Sequence, residues 1–331
     1  MAEVKKVAVS GIQATGNLHI GNYIGAIKQF VELQDKYKML VFVADLHAIT
    51  IPQDPKKLQA QTLDAVCVYL ACGLDPKKTN IFIQSQISQH TELGWILNTI
   101  TPLGELERMT QFKEKKEGHG VLAGLLNYPT LMAADILLYH PDAVPVGEDQ
   151  LQHLEFARTV ARKFNARFGK TFKEPKALLQ KEGARIMGLD DPTKKMSKSA
   201  ASTNNYIGML ESEEEIRRKI KIAVTDSGKE VKFNRETKPA ISNLLAIYSQ
   251  MADLSVSELE KKYVGKTYSE FKSDLAGALV QKLSPIQKKY KEFAEDRKGV
   301  LQILRDSAEK AREVAKATML NVRAKIGLLS E

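Results

Sequence analysis

Apolar and polar positions along the first 150 residues fall into blocks that switch between two periods. Val7, Ala8 and Val9 form a short apolar run that stops at Ser10-Gly11, passes a polar loop containing Gly16, and reaches His19-Ile20-Gly21-Asn22. From there Ile24, Ile27 and Val31 recur at helical spacing between Lys28, Glu32 and Gln34, which predicts a helix. Residues 39–44 (M-L-V-F-V-A) are apolar without alternation, as in a parallel strand buried on both faces. They end in Asp45-Leu46-His47, polar residues at a strand's C-terminal end, where open α/β sheets place ligands. After Pro52-Gln53-Asp54-Pro55, a turn and helix start, Leu58, Leu63, Val66 and Leu70 mark a helix over 57–73 closed by Gly73. Residues 80–84 (N-I-F-I-Q) read as the next strand. This strand–helix alternation predicts a doubly wound parallel sheet.

The alternation lapses from about Thr91, where 93–100, 104–115 and 122–140 all carry helical patterns. This predicts a helical insertion over about 91–140, with the charged, glycine-bearing stretch 113–120 as an exposed mobile loop. Residues 143–146 resume a strand, and Gly147-Glu148-Asp149-Gln150 open a helix whose face is Leu151, Leu154, Ala157 and Val160. Residues 189–205 have no apolar period and read as a loop. Beyond them 213–224, 242–252, 257–263, 268–291 and 300–326 are helical in pattern, so a domain boundary is expected near Ser202.

Composition narrows the class. The 331 residues are 43% hydrophobic and 27% charged, an ordinary globular balance for roughly two domains. No apolar run reaches membrane-spanning length, and the chain is read as starting without a signal or transit peptide. Its two cysteines, Cys67 and Cys72, fit no zinc or redox spacing and are expected to pack as small apolar residues in a reducing cytoplasm. No metal-ligand cluster is expected. The formal charge of +9 is compatible with a polyanionic partner.

Two stretches carry candidate chemistry. A strand, a glycine loop and a helix N-terminus over 7–25 can present backbone N–H groups to a phosphate, although neither the dinucleotide fingerprint nor the P-loop is present. Lys195-Met196-Ser197-Lys198-Ser199 places two lysines three apart in a serine-bearing loop. It is either a solvated turn or a clamp for a polyphosphate. Asp135 interrupts the apolar series Leu131, Met132, Ile136, Leu137, Leu138, and is either ion-paired or a buried acceptor awaiting a donor.

The lysine pentapeptide matches the second signature of class I aminoacyl-tRNA synthetases, and His19-Ile20-Gly21-Asn22 resembles the first, with Asn where many members have His. Gly11-Ile12-Gln13, residues 104–113 (G-E-L-E-R-M-T-Q-F-K), Tyr128-Pro129, residues 131–137 (L-M-A-A-D-I-L) and Gly147–Gln150 extend the likeness. The chain resembles the bacterial-type tryptophanyl-tRNA synthetases over nearly its whole length. The resemblance implies a Rossmann-like doubly wound parallel sheet with a helical insertion in 1–201, and an all-helical, tRNA anticodon-binding domain in 202–331. It implies activation of L-tryptophan by ATP, with phosphate-bound Mg²⁺ and no protein metal site, then transfer to tRNA(Trp) by a cytoplasmic homodimer.

By the same resemblance, Lys195, Lys198, His19, Asn22 and Lys115 serve catalysis, with Lys113 as a further cation. Gln13, Ala14, Thr15, Gly21, Asn22, Gly147, Glu148, Asp149, Ile186 and residues Lys195, Met196, Ser197, Lys198 and Ser199 hold ATP. Asp135 accepts the indole N–H, while Met132, Tyr128, His47, Gln150, Val144, Val146 and Val9 surround the tryptophan. Two departures stand out: Val9 occupies a position that is aromatic in some relatives, and Ala200-Ala201-Ser202 follow the lysine motif where many relatives have Asp. A tyrosyl enzyme, a non-charging RNA-binding paralogue and a small-molecule adenylyltransferase are the rival readings.

Overall fold

A computed structural model describes residues 5–14, 18–110, 112, 122–179, 185–198 and 200–329. Five parallel strands form one sheet in the order β3-β2-β1-β4-β5: β1 Val7–Gln13, β2 Lys38–Ala44, β3 Thr79–Ile83, β4 Ala143–Val146 and β5 Lys176–Leu179. Val9 pairs with Leu40, Leu40 with Asn80, and Ala8 with Ala143. The chain runs outward from β1 to β3, then returns to start again on the other side of β1. The order therefore reverses between β1 and β4, which is where such sheets open a crevice at their C-terminal ends. Gln13, Ala14 and Gly147 follow those two ends.

The expected strands are present, together with β5, which the sequence reading did not include. The expected helix over 57–73 is Pro55–Ala71, capped by Asp54, whose Oδ1 accepts the Lys56 and Lys57 N–H groups at 2.9 and 3.2 Å. The insertion contains helices Gln89–Asn98, Leu103–Glu107 and Ala123–Leu137. The helix expected over 104–115 is interrupted after Glu107, with Thr110 and Phe112 helical again, and 113–120 lie outside the described residues. The early helix over 20–33 contains a π-helical segment at Tyr23–Ile27.

The chain divides into two compact units, residues 1–15, 30–179 and 296–331 forming one and 16–29 with 180–295 the other. This differs from the two consecutive spans expected. In the first unit, Val9, Phe42, Phe82, Ala134, Leu137, Val144 and Leu154 share a core with Ala308, Ala311, Ala315, Met319 and Val322. The last five lie on helix Arg297–Ile326 at helical spacing, and their small side chains let it approach closely. Arg323 Nε and Nη2 grip the Glu92 carboxylate at 2.6 and 2.9 Å, and Thr318 Oγ1 donates to Leu138 O at 2.8 Å. The final helix therefore belongs with the sheet, not with the helices that precede it. In the second unit, helices Glu213–Ile222, Pro239–Ala252, Val256–Lys262 and Tyr268–Glu295 bury Ile220, Leu245, Tyr263, Phe271 and Leu279.

Cys67 is buried and Cys72 partly so, and both are free. Burial pushes their thiols up to about 11 and about 12, so neither is a ready nucleophile at neutral pH. No described helix is long and apolar enough to cross a membrane.

Candidate active site

Asp135 is only 1% exposed, on helix Ala123–Leu137 beside Ala134 and Ile136. An unpaired carboxylate there would carry a heavy desolvation cost, and three elements supply donors. Gln84, just past β3, donates from Nε2 to Oδ1 at 2.7 Å. His90 Nδ1 lies 2.6 Å from the same oxygen, and His47 Nε2, just past β2, lies 2.7 Å from Oδ2. Burial pushes the Asp135 carboxyl up, but the bonds from His47 and His90 outweigh it and hold it down at about 2.

The network continues one step further. His90 is fully buried, and its Nε2 lies 2.8 Å from the Tyr139 hydroxyl. An ionised Asp135 only accepts, so His90 carries its proton on Nδ1, and in the neutral ring Nε2 accepts from Tyr139. Burial raises the Tyr139 hydroxyl's pKa, which keeps it a donor. Oδ1 of Asp135 is thus filled by two donors, whereas Oδ2 has only His47 among the described residues and keeps acceptor capacity.

Tyr128, Met132 and Asp135 share one helix face at spacings of four and three. The His47 ring stands edge-on to Tyr128 with centroids 6.2 Å apart. Tyr128 Oη lies 2.7 Å from His153 Nε2; burial lowers His153 to about 4, so the neutral ring accepts from the phenol. Val9, Val144 and Val146 lie in the core against which Tyr128 and Met132 pack. Gln150 donates from Nε2 to Asp149 Oδ2 at 3.0 Å. A Cβ on Gly147 would stand 2.6 Å from Asp149 Oδ1, so a side chain there would displace the Asp149 carboxylate.

In the second unit, the lysine motif leaves a small antiparallel hairpin. Met187 pairs with Lys195, Met196 N–H donates to Ile186 O at 3.0 Å, and Gly188 N–H donates to Lys194 O at 2.8 Å. The first signature lies in the same unit. His19 pairs with Gly208, Ile20 N–H donates to Ile207 O at 2.9 Å, and Asn22 Oδ1 accepts the His19 N–H at 3.0 Å. A methyl on Gly21 would come within 2.9 Å of the His19 ring and 3.5 Å of Met196 Sδ, so the signatures approach each other. Burial, then Lys198 and Lys195, lower His19 to about 4. Its buried Nδ1 has no hydrogen-bond partner among the described residues. Burial also lowers the Lys198 ammonium, so a charge that pairs with it gains more than it would in water.

The structure gathers Asp135, His47, Tyr128 and Met132 in the first unit, and His19, Gly21, Asn22, Ile186, Lys195, Met196, Ser197 and Lys198 in the second. Gln13, Ala14, Gly147, Glu148, Asp149 and Gln150 stand at the ends of β1 and β4. Thr15, Lys113, Lys115 and Ser199 lie outside the described residues. Sequence reasoning missed Gln84, His90 and Tyr139. Tyr139 had a legible signal, four residues beyond Asp135, and Gln84 sits at a strand's C-terminal end like His47. His90 had no local signal at all.

The model of the tRNA synthetases class I (W and Y) family matches residues 1–284. The chain belongs to this family of class I synthetases. It is 51% identical over 325 residues to the tryptophan–tRNA ligase of Caldanaerobacter subterraneus subsp. tengcongensis, covering 98% of this chain and 99% of the relative. Its identity to the Bacillus subtilis tryptophan–tRNA ligase is 48% over 326 residues, 98% of each chain. The Mycoplasma pneumoniae tryptophanyl-tRNA synthetase structure superposes with a TM-score of 0.92 at 38% identity over 99% of both chains. The Campylobacter jejuni synthetase complexed with ADP and tryptophan gives 0.83 at 39% identity over 97% of this chain and all of that one. Within the class, the chain is a member of the bacterial-type tryptophanyl-tRNA synthetases.

Proposed function

We propose that the chain is a tryptophan–tRNA ligase that activates L-tryptophan with ATP and transfers it to the 3′ end of tRNA(Trp). The observation that carries the choice of amino acid is the buried, ionised Asp135, with one oxygen filled by fixed donors and the other left with acceptor capacity. The indole N–H is a donor that phenylalanine lacks, and leaving such a carboxylate short of a donor is what rejects the wrong substrate. Gln84, His90 and His47 hold the carboxylate in place, while Tyr128 and Met132 provide the apolar surface for the ring.

Activation needs no protein nucleophile. A tryptophan carboxylate oxygen attacks the α-phosphorus in line as the bond to the oxygen bridging the β-phosphate breaks, and pyrophosphate departs with that oxygen. Lys195 and Lys198 neutralise the charge gathering on the departing phosphates, and the neutral His19 offers a phosphate a further hydrogen-bonding partner. Mg²⁺ enters with ATP as part of the substrate, held by phosphate oxygens and water. A ribose hydroxyl of the tRNA 3′ end then attacks the aminoacyl carbonyl, and AMP leaves.

Charge favours the RNA partner: a cleft in the second unit is lined by Lys229, Lys232, Lys261 and Lys266 against Glu230 and Glu260, with Tyr263 and Tyr268 beside them, a net positive lining suited to phosphates and bases. The helices of 202–295 are accordingly assigned to the anticodon side of tRNA. A homodimer accounts for the outward apolar side chains of the helical insertion, where Trp95 is 70% exposed and Leu103 and Leu122 are also exposed. The enzyme works in the cytoplasm. Amino-acid-dependent exchange between ATP and pyrophosphate, followed by charging of tRNA(Trp), tests the whole reading.

A further inference from the structure

Two buried asparagines hold the hairpin that carries the lysine pair. On its first strand, Met187 offers its N–H to Asn243 Oδ1 at 2.8 Å and receives the Asn243 Nδ2–H on its carbonyl at 2.9 Å. Asn243 projects from helix Pro239–Ala252 and is 6% exposed. At the middle of the lysine motif, Asn205 Oδ1 accepts the Ser197 N–H at 2.8 Å, Asn205 Nδ2 donates to Asp190 Oδ1, and Asn205 O accepts the Leu189 N–H at 2.9 Å. One side chain therefore ties the turn of the hairpin to the residue between Met196 and Lys198.

The chemistry fixes the orientation of this amide. An ionised Asp190 only accepts, so the Asn205 NH₂ must face it, and the amide oxygen is left for the Ser197 N–H. Neither group can exchange places without setting two donors or two acceptors face to face. Space is constrained as well: a Cβ on Gly188 would stand 2.2 Å from Asn205 Nδ2, so the glycine makes room for the asparagine. The pinned group is the Ser197 N–H, so the Met196–Ser197 peptide plane is fixed one residue ahead of Lys198 and fewer backbone torsions are left free between the hairpin and that lysine.

We propose that Asn205, held by Asp190, is a positioning residue that aims Lys198 at the phosphates in the activation step. This inference rests on the reading of Lys195 and Lys198 as the phosphate clamp. Asn205 is buried, and its amide is taken up by Ser197 and Asp190. Its contribution is to remove conformational freedom from the lysine before charge develops, so its loss affects the rate of the step more than the binding of tryptophan.

The test is tryptophan-dependent ATP–pyrophosphate exchange by the full-length enzyme, with kcat and both KM values measured for Asn205→Ala, Asn205→Asp and the exchanged pair Asp190→Asn with Asn205→Asp. Asn205→Ala is expected to lower kcat roughly 10- to 100-fold, with the KM for tryptophan within about twofold of the unaltered enzyme. Asn205→Asp keeps the acceptor for Ser197 but opposes two carboxylates. Its kcat relative to the unaltered enzyme rises as pH falls from 8 to 6, because a proton shared by the pair restores the missing donor. The exchanged pair restores a donor at 190 facing an acceptor at 205, and recovers most of the lost rate. An unchanged kcat in Asn205→Ala contradicts the inference. So does an equal loss in tryptophan binding, or an exchanged pair no better than Asn205→Asp alone. Absence of exchange in the unaltered enzyme contradicts the ligase reading, and this inference with it.

Discussion

The proposed selection by Asp135 rests on what its neighbours leave open. Gln84 and His90 occupy Oδ1, Tyr139 holds the far nitrogen of His90, and His47 touches Oδ2. The carboxylate can neither rotate away nor take up a proton near neutral pH, since it is held down at about 2. Asp135→Asn keeps the size but removes the charge and turns one acceptor into a donor facing existing donors. It is expected to lower kcat/KM for tryptophan roughly 10²- to 10⁴-fold while leaving the KM for ATP within about twofold. Exchange kinetics with each substrate varied in turn measure both quantities, and an equal loss for ATP would make the residue structural. Asp135 itself was legible as an acid among apolar residues. Its status as a held acceptor was not, because all three of its donors come from segments more than forty residues away in sequence.

At the scale of elements, the same network depends on how β1 and β2 meet. Gly11 of β1 pairs with Phe42 of β2, and a Cβ on Gly11 would stand 2.6 Å from the edge of the Phe42 ring. That ring cannot swing aside, because it packs on Phe82 and on His90 with centroids 5.9 and 5.6 Å apart. Gly11→Ala is therefore expected to destabilise by about 1–3 kcal/mol, read as a lower urea midpoint with an unchanged slope. An unchanged midpoint would mean that the ring yields without cost. The buried strands β1 to β4 were legible because each is an apolar run ending at polar or glycine residues. β5 was not: Lys176–Leu179 is four residues long, none of them fully buried. Helix Arg297–Ile326 was legible as a helix but not as part of the first unit. Its apolar stripe states that a core is needed and does not say which one.

For the molecule as a whole, the histidines whose protonation burial opposes, His19 and His153 most strongly and His140 with them, shape the response to acid. Burial holds His19 and His153 at about 4 in the fold, with Lys198 and Lys195 adding to the effect on His19, whereas an unfolded histidine titrates near ~6.5. As pH falls, the unfolded chain binds these protons first. Stability is full above the unfolded value and is lost between about 6.5 and 4, at a slope approaching about 2.7 kcal/mol per pH unit for two protons. Urea unfolding at pH 7 and pH 5 measures this, and equal stability at the two values would contradict the assignment. The lysine motif was legible on its own as a loop of two cations. Its approach to His19 was implied only by resemblance, because 176 residues separate His19 from Lys195 in the chain and the pairing of 18–20 with 207–209 ties the two segments into one unit.

A buried, ionised acceptor at Asp135 is what we propose makes this chain choose tryptophan. Exchange of labelled pyrophosphate into ATP by the purified full-length protein, with each of the twenty amino acids supplied in turn, tests it most directly. Tryptophan is expected to stimulate exchange, with phenylalanine and tyrosine near background. Stimulation by tyrosine but not tryptophan, or by no amino acid, would contradict the account.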